Sequence, residues 1–207
     1  MRHPTNLVII GASTGGTRVL PEMLRRLPRM PAAILLVQHI PEFITPSFLG
    51  TLQRASRMPV AVATDGLSLT EGAVILTPGG LHCSVMENHR LRVAPGEKVN
   101  FVIPSVDVTM QSVRVALPGQ RLFGVILTGM GRDGAAGLAH LKRLGATTFA
   151  QDKATCAVHG MPAEAVRLGA VDAELPPEGI VQRLVEEILG GQKKVPTGAG
   201  GISRLVH

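Results

Sequence analysis

The aliphatic run Leu7-Val8-Ile9-Ile10 breaks without a spacer into Gly11-Ala12-Ser13-Thr14-Gly15-Gly16, and helical spacing follows over 17–27. A short, continuous apolar run suits a strand buried on both faces. A strand that passes through a glycine turn straight into a helix is the start of a βαβ unit, which points to a layered α/β sheet. The same alternation recurs along the chain. Further strands are predicted at 34–38, 60–63, 73–76, 122–127 and 147–150. Helices are predicted at 46–56, 105–117, 135–144, 162–168 and 177–189. The turn Pro78-Gly79-Gly80 opens a hairpin pairing 83–87 with 90–94. These elements predict a doubly wound, mostly parallel sheet with helices on both faces and an antiparallel hairpin at one edge. One domain over 1–190 accounts for them, and the aperiodic tail 191–207 is expected to be disordered.

Composition narrows the partners. A chain of 207 residues can bury a full core without disulfides. It has no Trp, no Tyr and only five Phe, so its core must be aliphatic and stacking of bases on aromatic platforms is nearly excluded. The formal charge is +6, but Lys and Arg are scattered, which fits mild attraction to an acidic protein surface and no nucleic-acid groove. Cys83 and Cys156 stand without metal-ligand spacing, so neither a metal nor another cofactor is expected. Reduced cysteines and the lack of a signal peptide or long apolar run predict a cytoplasmic protein with no membrane insertion.

In a doubly wound sheet, ligands sit beyond the carboxyl ends of the strands. Three polar residues follow strands there: Ser13, His39 in Val37-Gln38-His39-Ile40-Pro41, and Asp133 in Leu127-Thr128-Gly129-Met130-Gly131-Arg132-Asp133-Gly134. The turn around Ser13 suits either a serine nucleophile or a phosphate loop. A phosphate loop of the dinucleotide kind would have glycine where Ser13 stands, and an acidic residue where His39 ends the second strand. With an imidazole and a carboxylate at neighbouring strand ends, the nucleophile reading is preferred. Ser13 would attack a carbonyl, His39 would shuttle the proton, and Asp133 would orient the imidazole. The chain order Ser-His-Asp differs from that of α/β-hydrolases. A binding module that keeps these residues without using them is the alternative.

The segments Gly11-Ala12-Ser13-Thr14-Gly15-Gly16, Gln38-His39-Ile40-Pro41, Pro104-Ser105-Val106-Asp107, Leu127 through Gly137 and Gly160-Met161-Pro162-Ala163-Glu164-Ala165 together resemble the catalytic domain of the bacterial chemotaxis receptor methylesterases. The resemblance runs from about Leu7 to Leu189 with its motifs in family order. It implies catalytic roles for Ser13, His39 and Asp133, an oxyanion donor in the Met130 amide, and Thr14 lining the site. It also implies hydrolysis of glutamate methyl esters on the cytoplasmic helices of methylated chemoreceptors, with glutamine deamidation as related chemistry.

Two departures accompany it. Family members usually carry an N-terminal receiver domain, whereas here the first strand lies close to Met1, so no receiver domain is expected, whether the chain is free-standing or excised. Residues Phe101-Val102-Ile103 stand where the family commonly has basic residues, which predicts a changed or narrowed target set. Among rival sites, Cys156 with His159 reads as an inert thiol in a loop, and His82 as a structural or substrate-contact residue at the cleft rim. Asp107 reads as a local cap or partner, and His3, His89, His140 and His207 as solvated.

Overall fold

In the computed structural model, residues 4–87, 89–114 and 119–190 are described. Seven parallel strands form one sheet in the order β3-β4-β2-β1-β7-β8-β9. At its centre, β1 (Asn6–Ala12) pairs with β2 (Ala33–Gln38) on one side and β7 (Arg121–Ile126) on the other. Leu7 lies opposite Ala33 and Leu122 in the two registers. Beyond β2 come β4 (Ala73–Leu76) and β3 (Val60–Val62), and beyond β7 come β8 (Thr147–Gln151) and β9 (Ala173–Leu175). The chain passes from β1 to β2, reaches the edge at β3 and returns to β4, then restarts on the other side of β1 through β7. The winding therefore reverses between β1 and β7, where such sheets open a ligand crevice.

Period-two alternation sorts the core into two layers. Val8 and Ile10 face Leu20, Leu24, Phe48, Leu52, Ile180 and Leu184, which belong to helices α1 (Gly16–Arg26), α2 (Thr45–Ala55) and α6 (Pro177–Gly190). Leu7 and Ile9 face Val106, Met110, Leu138, Leu141, Met161 and Ala165 on α3 (Val106–Gln111), α4 (Ala135–Arg143) and α5 (Met161–Arg167). Each fully buried Leu or Ile contributes about 1.5–3 kcal/mol, so the aliphatic layers supply the stability that aromatic residues do not. Gly124 on β7 sets the depth of α4, because a Cβ there would lie 2.5 Å from Leu138 Cδ1.

The hairpin forms a two-stranded sheet of its own, β5 (His82–Val85) with β6 (Leu91–Ala94). Cys83, Val85 and Leu91 join the layer containing Leu69 and Ile75, so it covers the β4 side of the large sheet. Helix α3 is shorter than the periodicity predicts. The Ser112 hydroxyl donates to the Thr109 carbonyl (2.6 Å) and accepts the Val85 amide (2.7 Å), which ends the helix against the hairpin. The predicted end of that helix at 117 and the tail 191–207 lie outside the described residues. Pro21 lies within α1, and β9 was not foreseen.

Candidate active site

Because β1, β2 and β7 are adjacent, the loops that follow them emerge side by side. The Ser13 amide donates to the Thr128 carbonyl (3.0 Å), which ties the first loop to the third. The His39 amide donates to Ala12 O (3.0 Å), which ties the second loop to the first. Beneath them the buried Gln38 amide donates to Ser13 O (2.9 Å) and His39 O (3.2 Å), so one side chain fixes both backbones. Gly16 makes room for it: a Cβ there would sit 2.1 Å from Gln38 Oε1. Gly15 turns into α1 at φ 88°, a region that favours glycine. Gly129 comes so close to the serine that a Cβ would lie 2.8 Å from Ser13 Cβ.

His39 Nε2 lies 2.8 Å from Asp133 Oδ2, with the two side chains 10% and 3% exposed. A carboxylate only accepts hydrogen bonds, so Nε2 carries the proton and Nδ1 is left as the basic nitrogen. Asp133 also accepts from Ser105 Oγ (2.7 Å), Asn100 Nδ2 (3.0 Å), the Val106 amide (2.6 Å) and, more weakly, the Asp107 amide (3.3 Å). Both amides belong to the first turn of α3, whose unpaired N–H groups thus find an acceptor. Burial alone would push this carboxyl up. The bonds from His39, Ser105, Asn100 and Val106 outweigh burial and hold it below the ordinary carboxylate range.

A second buried carboxylate lies alongside. Asp107 accepts the Gly137 amide (2.6 Å) and Asn100 Nδ2 (2.8 Å), so one Asn100 amide bridges Asp107 and Asp133. Burial pushes Asp107 up, and the nearby charge of Asp133 adds to the rise, while the Gly137 amide and Asn100 oppose it. Asn100 in turn accepts Arg132 Nε through Oδ1 (3.1 Å). Asn100 and Ser105 are the polar supports that sequence reasoning passed over. Ser105 had a signal, since a serine before a helical pattern is an N-cap and its side chain does accept the Val108 amide (3.3 Å). Asn100 had none beyond the tolerance of asparagine for φ > 0, where it sits at 52°.

Thr14 is exposed at the turn, and Met130 lies in the β7 loop with its side chain 75% exposed. Among the described residues neither amide has a hydrogen-bond acceptor, and the Ser13 hydroxyl likewise has no partner. His82 is structural: its Nδ1 accepts the Ser105 amide (3.2 Å) and its Nε2 bonds Glu97 O (2.8 Å). Asp107 pairs across helices and does more than cap its own. His89, expected to be solvated, is buried, because the turn that holds it at φ 56° lets its carbonyl accept the Leu69 amide. His140 also bonds inward, to Val113 O (2.7 Å). Burial pushes the Cys156 thiol up to about 11 and Cys83 to about 12, so neither is a ready nucleophile. Among the described residues no cluster of three or more His, Cys, Asp or Glu could hold a metal, and no helix is long and apolar enough to cross a membrane.

The family profile described as CheB methylesterase matches residues 8–184. The protein-glutamate methylesterase/protein-glutamine glutaminase of Bordetella parapertussis is 45% identical over 186 residues, 88% of this chain and 53% of that protein. Its namesake from Symbiobacterium thermophilum is 42% identical over 188 residues, 90% of this chain and 52% of that protein. The chain thus spans about half the length of the curated relatives it matches. The crystal structure of the Thermotoga maritima CheB methylesterase catalytic domain is similar at TM-score 0.82 and 35% identity, covering 91% of this chain and 100% of that one.

Proposed function

The chain belongs to the CheB methylesterase family, and we propose that it is a serine hydrolase acting on methyl esters of glutamate side chains in chemotaxis receptors. The observation that carries the reading is the buried His39–Asp133 couple, carried on the loops after β2 and β7, the two strands that flank β1, after which Ser13 stands. In the first step His39 Nδ1 takes the Ser13 proton while Oγ bonds to the ester carbonyl carbon. Asp133, held ionised by its donors, stabilises the imidazolium that forms. The amides of Met130 and of Thr14, the residue after the nucleophile, receive the oxyanion. Collapse breaks the C–O bond, and His39 protonates the departing methoxide to give methanol. Water then attacks the acyl-serine with His39 again as base, which releases the glutamate carboxylate. A glutamine amide would follow the same path with ammonia as the leaving group, and the names of the relatives support that second activity. No step calls for a metal or an organic cofactor. Domain organisation follows the same reading: residues 1–190 form the catalytic unit, acting in the cytoplasm on receptor helices.

Methanol release from methylated chemoreceptor membranes tests this, with Ser13→Ala as the paired control. Release by the native chain that vanishes in the variant is expected. A folded native chain that releases neither methanol nor ammonia would overturn the assignment.

A further inference from the structure

Three large apolar side chains stand in solvent on segments that lead to or from this site: Phe101 (88% exposed), Phe43 (78%) and Met130 (75%). Each lies on a loop tied to the machinery already described. Phe43 follows His39 in the single turn Glu42–Ile44, and Met130 lies three residues before Asp133. Phe101 sits at the tip of a two-residue turn closed by reciprocal bonds between Val99 and Val102 (3.1 and 3.2 Å). That turn is fastened to the site, since Asn100 bonds Asp133, Asp107 and Arg132. Phe101 occupies φ 68°, a region that bulky residues avoid, yet its ring touches little of its own protein. An aromatic held in a costly conformation and pointed at water is a feature whose use lies in a partner.

We propose that Phe101 is a specificity-determining residue, and that with Phe43 and Met130 it forms an apolar rim that docks a substrate helix with aliphatic residues one turn from its ester-bearing glutamate. This deepens the proposed esterase function and rests on it. The occupant is the substrate because Phe43 and Met130 ride the loops carrying His39 and Asp133, and Phe101 adjoins Asn100, which bonds Asp133, so a chain placing an ester at Ser13 lies against these loops. In a helix, residues three and four positions from the ester share its face and so meet the rim. Acidic residues at those positions would have to be desolvated against Phe101 and Met130, and Asn100 beside Phe101 already bridges the buried carboxylates Asp107 and Asp133.

The test uses two helical peptides, each with one glutamate γ-methyl ester, carrying Leu or Glu at the positions three and four residues to either side. The native chain is expected to favour the Leu peptide about tenfold or more in kcat/KM, mainly through KM. Phe101→Gly, which fits φ 68° without strain, should bring the two within about threefold. Phe101→Asn serves the same purpose if the glycine variant melts early. Binding to the Ser13→Ala chain, read by fluorescence anisotropy, reports the preference without turnover. Equal kcat/KM for the two peptides, or a preference that survives both substitutions, overturns the inference. Preferential binding of the Leu peptide with no hydrolysis by the native chain would uphold the rim and overturn the esterase assignment instead.

Discussion

Ser105→Ala probes the support of Asp133 without touching the serine or the histidine. The Ser105 hydroxyl is fully buried, donates to Asp133 Oδ1 at 2.7 Å and accepts the Val108 amide at 3.3 Å. Removing a hydrogen bond to a charged acceptor costs about 1.5–3 kcal/mol. The long cap bond adds about 0.5 kcal/mol, the low end for an N-cap. A loss near 2–3.5 kcal/mol should lower Tm by roughly 4–14 °C in a domain of this size. The deficit should also depend on pH. Asp133 is depressed below its ordinary value of 3.8, so its contribution is present above that value and is lost as pH falls through the folded-state pKa. Removing a donor raises the folded pKa back toward 3.8. The gap between native and variant should therefore be full near neutrality and shrink below about pH 4, leaving only the cap. Urea unfolding at pH 7 and pH 3 measures both, and a cycle with Asp133→Asn isolates the pair. A Tm change under about 1 °C, or a gap indifferent to pH, would show that the hydroxyl does not hold this carboxylate.

Gly11→Ala places a Cβ 2.4 Å from Val106 Cγ1, at the residue whose amide binds Asp133. A loss of about 1–3 kcal/mol together with reduced kcat/KM is expected, and native stability in urea would mean that α3 is not seated there. His39→Ala should cut methanol release by about 10²- to 10⁴-fold and, because it removes a buried donor to Asp133, should also lower Tm by several degrees; retained activity would remove the histidine from the reaction. The raised thiols predict slow labelling of Cys83 and Cys156 by a disulfide reagent at pH 8 in the folded chain and rapid labelling in urea. Cys156→Ser should keep native methanol release, and its inactivation would revive the thiol reading.

Much of the sheet was legible because its central strands are unbroken aliphatic runs, each ending in glycine or a polar residue. Leu7–Ile10 and 122–127 can only be buried on both faces, so they sit side by side, and the residues after them meet. β9 was not legible, since three residues carry no period and it forms by pairing with β8. The partners of Asp133 divide in the same way. Ser105 announces itself as a cap. Asn100 reaches two carboxylates only because residues 100 and 101 both adopt positive φ, which tertiary bonds decide and local spacing does not. His89 went astray for that reason too: a turn at positive φ folds it inward.

Acid-quenched intact mass, taken milliseconds after mixing the protein with a peptide bearing a glutamate γ-methyl ester, interrogates the nucleophile itself. An adduct equal to the peptide acyl group, mapped to Ser13 and missing from Ser13→Ala, is the expected result. Methanol release that persists in Ser13→Ala, or an acyl group mapped to any other residue, would contradict it.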